Sequence, residues 1–192
     1  MFGHPGKKLL FMGQDFAQFQ EWSEARELDW YLLAEEKHQQ MKHFVSTLLH
    51  LYKEDPALHS LDDSWEGFQW INADDYSRSI FSFMRHSEDG KSNLVFVINF
   101  TPVARDDFRL GVPQAGSYKL VLNSDDAQFG GSGAARPKSY RAKKGECDGQ
   151  PYSIGYSLPA YGVAVFRYEK KDPAKKKAPA KKTTAKKTTE KK

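Results

Sequence analysis

One cysteine, Cys147, stands among 192 residues. That excludes an intramolecular disulfide framework and any zinc site built on several thiolates, and it points toward a reducing compartment. Long apolar runs are missing as well. No stretch approaches the ~20 residues that a membrane-spanning helix needs, and Met1 to Lys8 lacks the charged-then-apolar order of a secretory leader. The expectation is a soluble, cytoplasmic body with no membrane contact. Aromatic residues are not scarce: they make up 14% of the chain, within 39% hydrophobic and 28% charged. This is enough to bury a real core in one or two compact units.

Positive charge is also scarcer in the body than the totals suggest. The formal net charge is +4, yet residues 170–192 hold eleven Lys against Asp172 and Glu190, a net of +9. The preceding 169 residues carry 18 Lys+Arg and 23 Asp+Glu, a net of −5. The body is therefore mildly acidic, and the basic character belongs to a Lys/Ala/Thr/Pro tail. With almost no apolar bulk to offset chain entropy, that tail is expected to be disordered.

Along the body, Lys8-Leu9-Leu10-Phe11-Met12 before Gly13 is a short continuous apolar run of the kind buried on both faces of a parallel sheet. Gln14 to Leu33 has no period but holds Phe16, Phe19, Trp22, Leu28, Trp30 and Tyr31, as a long loop packed by its own side chains would. Glu35 to Glu54 reads as a helix, with Met41, Phe44, Val45, Leu48, Leu49 and Tyr52 forming one apolar stripe; Asp55-Pro56 ends it. His43 and His50 beside the stripe lack the further ligands a metal site needs and are read as ordinary helix histidines. After Ser60, short apolar or alternating runs separated by turn signals predict an antiparallel sandwich. Its strands are expected at Phe68–Asn72, Ser79–Arg85, Leu94–Phe100, Phe108–Val112, Tyr118–Asn123, Ser153–Leu158 and Val163–Tyr168. Asp89-Gly90 tolerates the positive φ values of a tight hairpin turn. Ser124 to Gly149, rich in Gly, Ser and basic residues, is expected to be a mobile loop. Asn99-Phe100-Thr101 fits a glycosylation pattern, but its apolar flanks suggest a buried strand.

The search for chemistry discards two motifs. Gly3-His4-Pro5-Gly6-Lys7-Lys8 has the Gly-Lys of a phosphate-binding loop, but no Ser or Thr follows and the segment precedes its strand. Gly130-Gly131-Ser132-Gly133-Ala134 lacks the strand and helix that a nucleophile elbow needs. The more informative residues are Gln14, Asp15, Glu21, Trp22, Asp29 and Trp30, carboxylates and an amide interleaved with indoles just beyond the carboxyl end of the apolar run. In α/β and barrel enzymes that is where ligand groups sit. Acids that accept from hydroxyls, beside aromatic faces that stack on sugar C–H surfaces, suit a carbohydrate. The alternative is that both indoles simply pack the loop while the acids cap helices or pair with Arg26. No pair of carboxyl groups flanking one glycosidic bond can be identified, so no catalytic residue is assigned, and neither a cofactor nor a metal is expected.

The order of segments resembles the C-terminal end of the 1,4-α-glucan (glycogen) branching enzymes of the α-amylase superfamily. The resemblance begins with residues 3–18, GHPGKKLLFMGQDFAQ. It continues through Glu21-Trp22, Leu28-Asp29-Trp30, Gly67-Phe68-Gln69-Trp70-Ile71 and Asn99-Phe100-Thr101-Pro102-Val103. Leu122-Asn123-Ser124-Asp125, Phe129-Gly130-Gly131-Ser132 and Leu158-Pro159-Ala160-Tyr161-Gly162 complete it. Together these span nearly all of residues 3–168. Asp15 departs from the pattern, standing where the family usually has Glu.

The resemblance implies an α+β fragment. Residues 1–59 would be the last strand and helix of a truncated (β/α)8 barrel, 60–169 an all-β C-terminal sandwich, and 170–192 the basic tail. Such enzymes cleave an α-1,4 linkage, hold the glucan on an aspartate with a glutamate as acid/base, and transfer it to a 6-hydroxyl in a retaining double displacement. Those carboxylates lie on earlier barrel strands, and no residue here matches them. The expectation is a chain inactive alone that contributes barrel closure and part of the acceptor-side wall. Its partners would be α-glucan (glycogen or amylose) and the missing N-terminal barrel portion. Two further readings are a glucan-binding scaffold using Trp65 and Trp70, and a tail that binds polyanions by counterion release, as it resembles histone-H1-like tails.

Overall fold

The computed structural model describes residues 1–170; the expectation of a disordered lysine tail lies outside the described residues. Among the described residues are one α-helix and nine strands: α1 (Glu36–Glu54), β1 (Phe68–Asp75), β2 (Ile80–His86), β3 (Asn93–Asn99), β4 (Arg105–Val112), β5 (Ser117–Asn123), β6 (Ser139–Arg141), β7 (Lys143–Cys147), β8 (Gln150–Leu158) and β9 (Val163–Glu169). The strands form a six-stranded sheet in the order β1-β2-β3-β9-β5-β6 and a three-stranded sheet in the order β4-β8-β7. Every pairing is antiparallel.

The alternation of side chains along each strand explains three layers. In β3, Val95 and Val97 face the small sheet and join Leu110, Ile154, Tyr156 and Phe166 in the sandwich interior. Leu94 and Phe96 face the other way, into a second cluster with Phe83, Leu122, Val165, Ala57 and Leu58. There Phe44, Leu48, Leu51 and Tyr52 of α1 lie over them. The central strands of the large sheet are thus covered on both faces, which is why Leu94 to Ile98 reads as an unbroken apolar run instead of alternating. Cross-strand pairing adds to this: Phe83 lies opposite Phe96, their rings stacked at 4.8 Å and 9°.

All seven expected strands are present, and the helix starts one residue later than expected, with Glu35 flanking it. The β2–β3 hairpin turns at Asp89-Gly90, where Gly90 takes φ 65°. Asn99 is buried at the end of β3, in accord with the buried-strand reading.

Two expectations fail. Residues 7–11 form no strand, because an extended segment becomes a strand only when neighbours take its N–H and C=O groups, and no described strand lies beside it. Leu9, Leu10, Phe11 and Met12 are exposed instead. Ser124 to Gly149 is not one mobile loop. It contains a 3₁₀ turn at Ala127–Phe129 together with β6 and β7. β6 pairs with β5 at the edge of the large sheet and β7 with β8 at the edge of the small one, so a single residue, Ala142, carries the chain between the sheets. The charged residues that disguised these strands in the sequence, Arg141 in β6 and Lys143, Lys144 and Glu146 in β7, are the usual content of edge strands.

Candidate functional site

The segment between Gly13 and Ala34 is built by short turns and anchored on α1. Gly13 takes φ 79° and opens a 3₁₀ turn at Gln14–Phe16, and Ala17 at φ 56° closes it. That geometry drives the Phe16 ring into full burial, stacked on Trp30 at 5.3 Å and 30°. The imidazole Nδ1 of His38, on α1, lies 2.8 Å from the Phe16 carbonyl, and Phe19 meets the same ring edge-on at 4.9 Å. A second 3₁₀ turn, Trp30–Ala34, buries Leu32. The expected side-chain-packed loop is therefore present in part: Phe16, Asp29 and Leu32 are inside, while Phe19, Trp22, Trp30 and Tyr31 are exposed.

The six candidate residues divide by environment. The Gln14 side chain accepts from the Phe11 backbone N–H at 3.0 Å, which shapes the turn. Trp22 is partly exposed, edge-on to Phe11 at 5.6 Å. Trp30 keeps 48% of its surface exposed. The Glu21 carbonyl accepts from Arg26, whose guanidinium also reaches Gln20. Asp15 is partly buried and Glu21 exposed. Asp29 differs from the other acids. It is only 8% exposed, its Oδ1 is 3.7 Å from Arg26 Nη1, and its Oδ2 is buried without a hydrogen-bond partner.

The packing contacts are visible directly. Arg26 pairs with Asp29 and Phe16 stacks on Trp30, as a packing role requires, while both indoles keep open surface and Asp29 Oδ2 stays buried without a partner. Such a constellation can bind hydroxyl-bearing or polypeptide donors. It does not assemble two carboxyl groups around a bond. Among the described residues, no group of three or more His, Cys, Asp and Glu converges as a metal ion would need. His43 and His50 are exposed on α1, with His43 Nε2 3.3 Å from Gln128 Oε1 and His50 Nδ1 2.8 Å from the Ser46 carbonyl.

Sequence reasoning missed a second site, the network that ties the first residues to the sandwich. Asp62 accepts from Lys8 Nζ at 2.9 Å, Arg85 Nη2 at 2.8 Å and Tyr52 Oη at 3.0 Å. Burial alone would raise the Asp62 carboxyl, but the three donors outweigh it and hold it below the usual carboxylate range. Burial raises the Tyr52 phenol, and its donation to Asp62 adds to the effect. Arg85 in β2 is fully buried and also donates to the carbonyls of Gly67, Gly3 and Leu58. An Arg following the largely apolar run Ile80-Phe81-Ser82-Phe83-Met84 was the available signal. Trp65 and Trp70, the other candidate binding aromatics, are both exposed and belong to neither core cluster.

Residues 70–169 match the family described as "Alpha amylase, C-terminal all-beta domain". The 1,4-alpha-glucan branching enzyme GlgB of Butyrivibrio fibrisolvens is 52% identical over 171 residues, covering 89% of this chain and 27% of that protein. The enzyme of the same name from Pseudomonas aeruginosa is 44% identical over 167 residues (87% and 23%), and that of Bacillus caldolyticus 43% over 171 (89% and 26%). The chain thus spans about a quarter of the length of the curated relatives it matches. Among solved structures, trehalulose synthase MutB from Pseudomonas mesoacidophila MX-45 aligns with a TM-score of 0.43 at 16% identity, covering 67% of this chain and 18% of that one.

Proposed function

Because the chain belongs to the family of the α-amylase C-terminal all-β domain, we propose that it acts as the C-terminal portion of a 1,4-α-glucan branching enzyme. In this reading it supplies no catalytic carboxylate. Residues 1–59 close a barrel with α1 and the Lys8–Met12 run, which pairs as a strand only once its barrel neighbours are present, residues 60–169 form the accessory sandwich, and the assembled enzyme moves a glucan from an α-1,4 to an α-1,6 linkage in glycogen biosynthesis. The observation that carries this is the Leu9–Met12 run, apolar yet exposed, where the resemblance puts a buried barrel strand. An exposed strip of this kind is unusual on a free surface and marks a contact.

Gln14, Asp15, Glu21, Trp22, Asp29 and Trp30 then contribute to the acceptor-side wall. The open faces of Trp22 and Trp30 support that role. The test replaces the aligned 171 residues of the Butyrivibrio enzyme with those of this chain and measures new α-1,6 linkages in amylose by debranching and chain-length analysis. The chimera is expected to branch and the 192-residue chain alone to give none; branching by the chain alone, or a folded chimera without activity, overturns the reading.

A second reading, a glucan-binding scaffold, draws support from Trp65, which is 85% exposed. Retention on glycogen that Trp65→Ala abolishes in the whole chain would favour it.

A further inference from the structure

A groove of about 510 Å³ lies across β4 and β8 of the small sheet and reaches Tyr140 of β6. A break in strand register shapes it. Arg105 lies opposite Leu158 and Phe108 opposite Tyr156, so Asp106 and Asp107 together face Ser157. A strand in step would turn one of two successive side chains inward. The bulge re-aims them, and both carboxylates are exposed and line the groove.

Gly155 forms its floor. It sits on the central strand of the small sheet, directly opposite Arg109 and between the buried Ile154 and Tyr156. A Cβ added there would meet nothing within 4 Å. Glycine weakens the interior of a strand, and where no neighbour needs the room it marks a place that a ligand or another backbone approaches closely. The surrounding wall is fixed. Arg136, 11% exposed, donates to the carbonyls of Ser157 and Ala134 and to Asp125 Oδ2. Arg109 donates through Nη2 to the Glu146 carbonyl and to Ser153 Oγ, which holds its guanidinium in place beside the floor.

The chemistry of this lining selects its ligand. Two adjacent carboxylates repel an anion, and among the described residues no third metal-ligating side chain joins them. Ser157 spends its hydroxyl on the Asp106 backbone carbonyl. What is left is a pair of charged acceptors and one charged donor around an open floor. Neighbouring hydroxyls of a sugar can donate to the carboxylates while another accepts from Arg109, all as charge-assisted hydrogen bonds. We propose that the groove is a non-catalytic α-glucan site, with a glucose unit lying over Gly155 between Asp106, Asp107 and Arg109. The preference for a hydroxyl-rich ligand comes from the groove, and the choice of an α-glucan rests on the reading of the chain as part of a branching enzyme. The site shares no residue with the Gly13–Ala34 loop.

The test is co-sedimentation of the 192-residue chain with glycogen. Gly155→Val covers the floor with a side chain for which the space is open. A β-branched residue suits a strand, so the melting temperature is unchanged or rises by up to about 4 °C, while the apparent affinity for glycogen falls at least about tenfold. The double variant Asp106→Ala, Asp107→Ala changes exposed positions and moves the melting temperature by less than about 2 °C. Losing the charged acceptors lowers its affinity at least about tenfold as well. Trp65→Ala, outside the groove, leaves affinity unchanged.

A chain that does not sediment with glycogen, or one whose sedimentation both groove variants leave intact, overturns the assignment, even where the Butyrivibrio chimera branches amylose. Loss on Trp65→Ala alone moves binding to the scaffold reading and overturns it too. Loss in both groove variants beside a folded chimera that does not branch upholds the groove and overturns the functional reading.

Discussion

Asp62→Ala isolates the network that fastens the first residues and α1 to the sandwich. Arg85 is fully buried, and the substitution removes the carboxylate it meets at 2.8 Å. Breaking a buried ion pair by deleting one partner costs about 3–5 kcal/mol. Here the loss falls at the lower end, because Arg85 keeps the carbonyls of Gly67, Gly3 and Leu58 as acceptors and the Asp62 side chain is itself 18% exposed. Tyr52 and Lys8 can turn to water and add less than about 1 kcal/mol.

The expected destabilisation is about 3 kcal/mol, or roughly 6–12 °C in Tm for a chain of this size. The pH dependence has a definite sign. Asp62 is held below its ordinary value in the folded chain, so its contribution is fully present above the unfolded value of about 3.9 and is lost as pH falls through the folded one. The gap between wild type and variant should be constant from pH 7 to about 5 and narrow below about 4. Asp89, which its hydrogen bonds to Lys91 and Ser87 hold at about 2, and Asp125 titrate alike in both proteins and cancel in the difference. Urea denaturation followed by circular dichroism at pH 7, 5 and 3 measures this. A loss under about 1 kcal/mol at pH 7, or a gap that widens on acidification, refutes the reasoning.

Three further outcomes follow from single sites. Asn99 is buried and its amide group donates to the carbonyls of Val103 and Pro159 while accepting from Thr101 N–H and Oγ1. Asn99→Ala is expected to cost about 2–4 kcal/mol by leaving those groups unpaired, read by the same denaturation. A Cβ on Gly111 would lie 2.2 Å from the Cys147 carbonyl oxygen, so Gly111→Ala forces β4 and β7 apart and lowers stability by about 1–3 kcal/mol. The result to check is lost stability together with faster alkylation of Cys147. In the unaltered protein, burial and then the neighbouring Asp148 carboxylate push the Cys147 thiol up. Iodoacetamide should therefore react at pH 8 several-fold more slowly than in urea-unfolded chain, and equal rates would contradict this.

Legibility followed periodicity. The helix and seven strands could be read because each carries its own apolar pattern: the stripe of α1, the unbroken run of β3, the Asp-Gly turn between β2 and β3. β6 and β7 could not, since Ser139–Arg141 and Lys143–Cys147 carry polar edge residues and become strands only by pairing with β5 and β8. The Lys8–Met12 run shows the reverse case. Its composition is that of a buried strand, and it stays out of any sheet where no described strand lies beside it. Of the candidate site, the residue types were legible and their environments were not. Nothing in Leu28-Asp29-Trp30 distinguishes an Asp with a buried, partnerless oxygen from the open carboxylates of the same loop.

By itself, then, the sequence determined the sandwich, the helix, the uneven charge and the resemblance to branching enzymes, because these rest on local composition, spacing and order along the chain. Only the tertiary structure decided that α1 lies over one face of the large sheet, that Arg85 and Asp62 meet across 23 residues, and that a bulge in β4 turns Asp106 and Asp107 into one groove. Those facts depend on which surfaces face each other after folding, and burial is a property of neighbours distant in sequence that no local pattern encodes.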